Sequence, residues 1–215
     1  MESKKLLLIG GGGHCKSVLD CLLNFNEYDD IGIIEKTAYN SNPMLGIPVI
    51  GTDGDLPALF SSGWTHAFVT LGSIGNTLRR HAIFENLNRL GFVLPCVIDS
   101  SAVIGRNVTI GVGVFIGKRA VINAGTCLGA CSIINTGAII EHDCSIGDFA
   151  HISPGCTLCG EVSVGHGTHI GAGSVVRQQI IIGNNSLIGA GSNIVSNIQN
   201  NCKAFGNPCK VVKEL

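Results

Sequence analysis

The sequence predicts two folded parts: an α/β N-terminal parallel-sheet domain over residues 1–92 and an all-β left-handed parallel β-helix over residues 93–215. Two observations carry this. From Ile98 an aliphatic residue recurs at every sixth position as far as Ile194, seventeen units without an insertion. Ahead of that frame, short apolar runs alternate with helical stretches, as in a small parallel α/β unit.

The frame passes through Ile116, Leu128, Ile140, Ile152, Val164 and Val176. Four residues after each aliphatic comes a small or β-branched residue, for example Ala120, Ser132, Cys144, Cys156 and Thr168. Such a register describes a triangular solenoid. Each hexapeptide supplies one short strand, the aliphatic fills the interior and the small residue fits near the corner. Three hexapeptides make a coil, so residues eighteen apart stack at the interstrand spacing of about 4.8 Å. Glycine often follows the aliphatic, as at Gly111, Gly147 and Gly165. Its expected task is to relieve strain where the chain turns.

In the N-terminal part a strand at Lys5–Ile9 leads into Gly10-Gly11-Gly12-Gly13-His14 and a helix over Cys15–Asn24. A second strand, Ile31–Ile34, ends at Glu35-Lys36, and apolar runs follow at Pro48–Ile50 and His66–Leu71. A helix from Thr77 to Leu90 has Asn76 as N-cap and Gly91 at C′. This is a Rossmann-like arrangement, in which the glycine loop presents backbone N–H groups to a phosphate at a helix N-terminus. Gly10-x-Gly12 lacks the third glycine of a dinucleotide fingerprint, which is Cys15 here, so a redox cofactor is not expected.

A hydrophobic fraction of 45% against 13% charged residues argues for a folded chain. A net charge of −1 gives no reason to expect nucleic acid or an anionic membrane as partner. Leu6–Ile9 is too short for a signal segment, and no window approaches the roughly 20 apolar residues of a membrane span. The expected location is therefore cytoplasmic, where ten cysteines stay reduced. Cys156-x-x-Cys159 has no second pair at metal-ligand spacing and falls inside the repeat, so no metal is expected.

The register also places one histidine. In Ile139-Ile140-Glu141-His142-Asp143-Cys144, Ile140 and Cys144 point inward, so His142 should point outward. One coil later the matching position is Gly160, which leaves room beside the imidazole. A neutral imidazole with a flanking carboxylate suits a general base. His151 and His169, eighteen apart, should stack on adjacent coils.

The unbroken hexapeptide frame, with the tail Gly206-Asn207-Pro208-Cys209-Lys210, resembles the hexapeptide-repeat acyltransferases. The opening Gly-Gly-Gly-Gly-His with Lys16, the segment Gly72-Ser73-Ile74-Gly75-Asn76 with Arg79, and Glu-His-Asp-Cys resemble a narrower group, the NeuD/PglD-type sugar acetyltransferases. That resemblance implies acetyl transfer from acetyl-CoA, bound between subunits of a homotrimer, to the amine of a nucleotide-linked 4-amino-4,6-dideoxy sugar. It implies His142 as base and Asp143 as its orienting acid. Acetyl-CoA contacts would come from His151, Gly160 and Lys210. Sugar-nucleotide contacts would come from Gly12, Gly13, His14, Glu35, Lys36, Gly72, Ser73 and Asn135. Where the group has an acidic pair, Glu35-Lys36 has one acid replaced by a base, which leaves the nucleotide open. His169 has no such counterpart and is expected to be structural. The runner-up is O-acetylation of a sialic-acid-type sugar. More distant alternatives are a zinc carbonic anhydrase of the same fold and a non-catalytic binding solenoid.

Overall fold

The computed structural model describes residues 3–36 and 43–215. The chain divides into two compact units, 1–72 with 78–97, and 73–77 with 98–215.

The first unit is built on a parallel sheet of β1 (Lys5–Ile9), β2 (Asp30–Ile34), β3 (Val49–Gly51) and β4 (His66–Val69), in the order β3-β2-β1-β4. Leu6 to Ile9 are almost wholly buried, as expected for a parallel strand covered on both faces. Helices α1 (Gly13–Leu22), α2 (Leu56–Ser61) and α3 (Leu78–Leu90) complete it. α2, with the 3₁₀ turn Asp53–Asp55 before it, was not anticipated; its six residues are too few to show a helical period. α3 starts one residue later than expected, so Thr77 rather than Asn76 precedes it, and Gly91 ends it at φ +90°. The expected boundary at residue 92 lies short of the end of this unit. Val93 forms a bridge with His66 and exchanges hydrogen bonds with Thr65 and Ala67, which ties the chain to the sheet edge.

Seventeen two-residue strands follow, from β5 (Val97–Ile98), which crosses the boundary between the units, to β21 (Asn193–Ile194), each ending on a repeat aliphatic. They form three parallel faces with partners eighteen residues apart, such as Ile134↔Ile152 and Ile140↔Leu158. The first face holds β5, β8, β11, β14, β17 and β20; the second holds β6, β9, β12, β15, β18 and β21; the third holds β7, β10, β13, β16 and β19. From Ile116 to Ile194 every repeat aliphatic is at most 3% exposed. Burial of each stabilises the coil by about 1.5–3 kcal/mol. Ile104 is 38% exposed because β6 has a strand on one side only. An antiparallel pair, β22 (Cys202–Phe205) and β23 (Lys210–Glu214), closes the first face at the other end.

The glycine after the aliphatic has a different task from the one expected. The turns with positive φ lie two residues further on, at Gly113, Gly125, Gly137 and Gly155, but also at Asn107, Arg119, Asp143 and Glu161. The earlier glycines are sites of close approach. At the corner from third to first face the column Gly111, Gly129, Gly147, Gly165 and Gly183 is unbroken, and a Cβ on Gly147 would lie 2.6 Å from the backbone nitrogen of His166 on the next coil.

Candidate active site

The strand order β3-β2-β1-β4 puts a topological switch between β1 and β4, and ligands of open α/β sheets bind beyond the carboxyl ends of strands at such a point. The glycine loop follows β1, and its four glycines differ in task. Gly10 turns the chain at φ +109° against Leu71. Gly11 donates its N–H to Glu35 Oε1 at 2.6 Å, and a Cβ there would strike that carboxylate. Gly12 and Gly13 face open space, which leaves their backbone accessible. Gly12 is the N-cap of α1 and supplies no side-chain cap, so the first turn offers N–H groups to an anion. A cavity of about 310 Å³ lies there, lined by Gly13, Lys16, Ser17, Asp20 and Leu45.

The other expected residues of this unit gather partly at the same edge. A Cβ on Gly72, beyond β4, would lie 3.8 Å from that of His14. Glu35 is half-buried and turned back onto the glycine loop, while Lys36 is exposed beside it. Cys15 is fully buried on α1, so the helix packs closely without the third glycine; burial pushes its thiol up to about 11.

In the β-helix, His142 lies on the corner between the second and third faces, after β12 (Ile139–Ile140), and is exposed. Asp143 takes the left-handed turn position at φ +57°, which aspartate tolerates better than most residues. That turn brings its Oδ2 to 2.9 Å from His142 Nδ1. The hydrogen bond to Asp143 is the main cause that raises the imidazole pKa, and Glu141 and Glu161 add to it electrostatically. One coil on, a Cβ at Gly160 would lie 2.6 Å from His142 Nε2. The imidazole itself therefore occupies the space over Gly160, rather than standing beside an empty gap.

Along the same corner, two coils past His142, lies a cavity of about 580 Å³ lined by Arg177, Gln178, Gln179, Ile180, Val195, Ser196 and Asn197. Nothing in the sequence singled it out, since these residues are ordinary corner positions of the repeat. Gln179 donates to Glu161 Oε2 at 3.2 Å, linking this cavity to the coil below the dyad.

Asn135 and His151 are placed elsewhere. Asn135 follows β11 (Ile133–Ile134) on the corner between first and second faces, and His151 stands on β14 (His151–Ile152) of the first face. Their side chains meet, Asn135 Nδ2 lying 3.3 Å from His151 Nε2. Within one chain a whole face separates this pair from the His142 corner. Ser73 belongs to the β-helix unit, and its carbonyl lies 3.2 Å from His151 Nδ1. Lys210 is exposed at the start of β23, and Cys209 before it is buried.

Among the described residues no group of three or more His, Cys, Asp or Glu side chains is placed to hold a metal ion. All ten cysteines are free, and Cys156 donates its thiol to Gly171 O at 3.1 Å inside the solenoid. Among the described residues no helix is long and apolar enough to cross a membrane.

Residues 5–87 match the family model described as the PglD N-terminal domain. The chain is similar to a variant of perosamine N-acetyltransferase from Caulobacter crescentus, solved with CoA and GDP-perosamine, at 34% identity and TM-score 0.91 over 98% of this chain and 97% of that one. It belongs to the NeuD/PglD-type sugar acetyltransferases. Its similarity extends to the acetyltransferase domain of PglB from Neisseria gonorrhoeae in complex with acetyl coenzyme A, at 35% identity and TM-score 0.88 over 98% of this chain and 100% of that domain. WeeI from Acinetobacter baumannii, 20% identical with TM-score 0.86, shares the fold over 98% of this chain and 100% of its own. No curated protein sequence matches.

Proposed function

We propose that this protein transfers the acetyl group of acetyl-CoA to the amine of a nucleotide-linked 4-amino-4,6-dideoxy sugar. The observation that carries the mechanism is the dyad: Asp143 takes the Nδ1 side of His142, so Nε2 is the nitrogen left to receive a proton. The amine lone pair attacks the thioester carbon directly. Its surplus proton passes to His142 Nε2, the C–S bond breaks, and the CoA thiolate leaves to be protonated. Asp143 keeps the ring in one orientation and stabilises the imidazolium that forms. The backbone at Gly160 lies against the reacting end, and the cavity at Arg177 continues the same corner as a groove for the CoA chain. The Gly12–Gly13 loop with His14 and Gly72 holds the nucleotide-sugar.

The working form in this reading is a homotrimer. An exposed apolar stripe on the second face, with Val103 at 60%, Ile139 at 38% and Val175 at 43%, supports it. A neighbouring copy packed on that face would bring an Asn135–His151 corner to a His142 corner. Glycan biosynthesis is the setting such a product fits.

The crystallised complex of the Caulobacter enzyme with GDP-perosamine supports an amino-sugar acceptor. The test is CoA thiol release with UDP-, GDP- and dTDP-linked amino sugars, and with free and CMP-linked sialic acid. Turnover with an amino sugar is expected. Turnover with sialic acid alone would replace N- by O-acetylation, and no release with any acceptor would overturn the reading. His142→Ala is expected to lose most turnover while keeping acetyl-CoA affinity. Light scattering should give the mass of three chains, and a monomer would remove the shared site.

A further inference from the structure

Residues Ser73–Thr77, which follow β4 and precede α3, are part of the β-helix unit. They lie as a strap across three successive rungs of its first face: β14, β17 (His169–Ile170) and β20 (Leu187–Ile188). The outward residues of those rungs are in register, His151↔His169 and His169↔Leu187. The Ser73 carbonyl meets His151 Nδ1 at 3.2 Å. A Cβ on Gly75 would touch Leu187 at 3.4 Å, and Thr77 Oγ1 sits 3.2 Å from where a Cβ on Gly167 would be. An outward position on a solenoid wall is ordinarily wet, yet His169 is only 8% exposed.

The contacts choose one state of His151. A carbonyl oxygen only accepts, so Nδ1 must carry the hydrogen. In a neutral ring Nε2 is then an acceptor, and it faces a donor, Asn135 Nδ2, at 3.3 Å. His169 supports this from the next rung. Its ring stands edge-on to His151, centroids 4.8 Å apart at 89°, and its Nε2 pairs with Ser153 Oγ at 3.3 Å. Burial lowers the His169 pKa, with the nearby Ser73 backbone opposing, so that ring stays neutral against its neighbour.

We propose that His169 and the strap carbonyl of Ser73 are positioning residues: they hold His151 as the neutral tautomer with hydrogen on Nδ1 and a lone pair on Nε2. This rests on the reading of His151 as part of the acyl-transfer site. His169, taken from the sequence as structural, then acts on the reaction through His151.

The experiment is nitrogen NMR of the histidine-labelled whole chain, alongside steady-state kinetics. In the parent protein His151 should show a protonated Nδ1 and an unprotonated Nε2. His169→Ala removes the edge contact, and should give His151 mixed tautomers and raise the acetyl-CoA KM by about ten- to a hundredfold. His169→Phe keeps a ring and should restore both to within about threefold of the parent. Gly75→Val puts a β-branched residue at φ +73° in the strap, which must shift to relieve the strain, and should disturb the His151 spectrum with His169 intact. Thermal melting identifies any variant that has lost its fold. An Nε2-protonated His151 in the parent, or an unchanged spectrum and KM in both His169→Ala and Gly75→Val, would overturn the proposal. If His151→Ala leaves KM and kcat unchanged, it is the acyl-site reading of His151 that fails. The positioning claim is then overturned for catalysis, whatever the spectrum shows.

Discussion

Gly160→Ala is a one-carbon test of the dyad. An added methyl carbon would sit 2.6 Å from His142 Nε2 and 2.7 Å from Cε1. Carbon and ring atoms are comfortable at about 3.5–4.0 Å, so one of the two must retreat by about 1 Å. The methyl is fixed to the backbone of a tightly paired coil, with Gly160 O accepting from Gln179 N at 3.0 Å. His142 is exposed and free to swing, so the ring moves and its 2.9 Å contact with Asp143 is lost or lengthened. A misplacement of that size costs about a hundredfold in turnover. Gly160 has no positive φ, so alanine strains no backbone and the melting temperature should hardly change. The assay is CoA thiol release across pH. Asp143 is what chiefly raises the His142 pKa, and the base must be unprotonated to act. Loss of that bond therefore moves the acid limb of kcat/KM to lower pH while kcat falls. A variant with kcat within about threefold of the parent, and the same acid limb, would refute the reasoning.

Asp143→Asn should move the acid limb the same way and lower kcat, because an amide cannot stabilise the imidazolium; a limb that moves to higher pH would contradict the dyad. Gly147→Ala, in the all-glycine corner column, should cost roughly 1–3 kcal/mol by overpacking against the His166 backbone and lower the melting temperature by several degrees, measured by calorimetry. Native alkylation at pH 8 followed by mass spectrometry should label exposed Cys127 first. Cys15 and Cys144, buried with thiols pushed up to about 11, should react only on unfolding, and rates equal to that of Cys127 would show that the α/β unit and the solenoid open in the native protein.

The hexapeptide register was legible from the sequence because a solenoid core is local: every sixth residue meets the same environment, and Ile116 to Ile194 kept it without exception. The same periodicity placed His142 outside the core with Gly160 at the matching position one coil on, but not the ring lying over that glycine. The glycine loop was legible too, since few other signals put four glycines after a buried strand. The reason for the repeat glycines was not. A positive-φ turn and a close approach both select glycine, and only coordinates separate Gly155 from Gly147.

What the sequence determined by itself, then, was which residues point in, which point out and which stack, because these follow from a period of six and an alternation of two. What only the tertiary structure decided depends on residues far apart in the chain. It turned Glu35 back onto Gly11 and laid Ser73–Thr77 across His151, His169 and Leu187. It also formed the Arg177 cavity from two coils whose residues carry no motif. Contacts between segments 78 residues apart, such as Ser73 with His151, leave no local periodicity to read. They are fixed only when packing brings the two surfaces together.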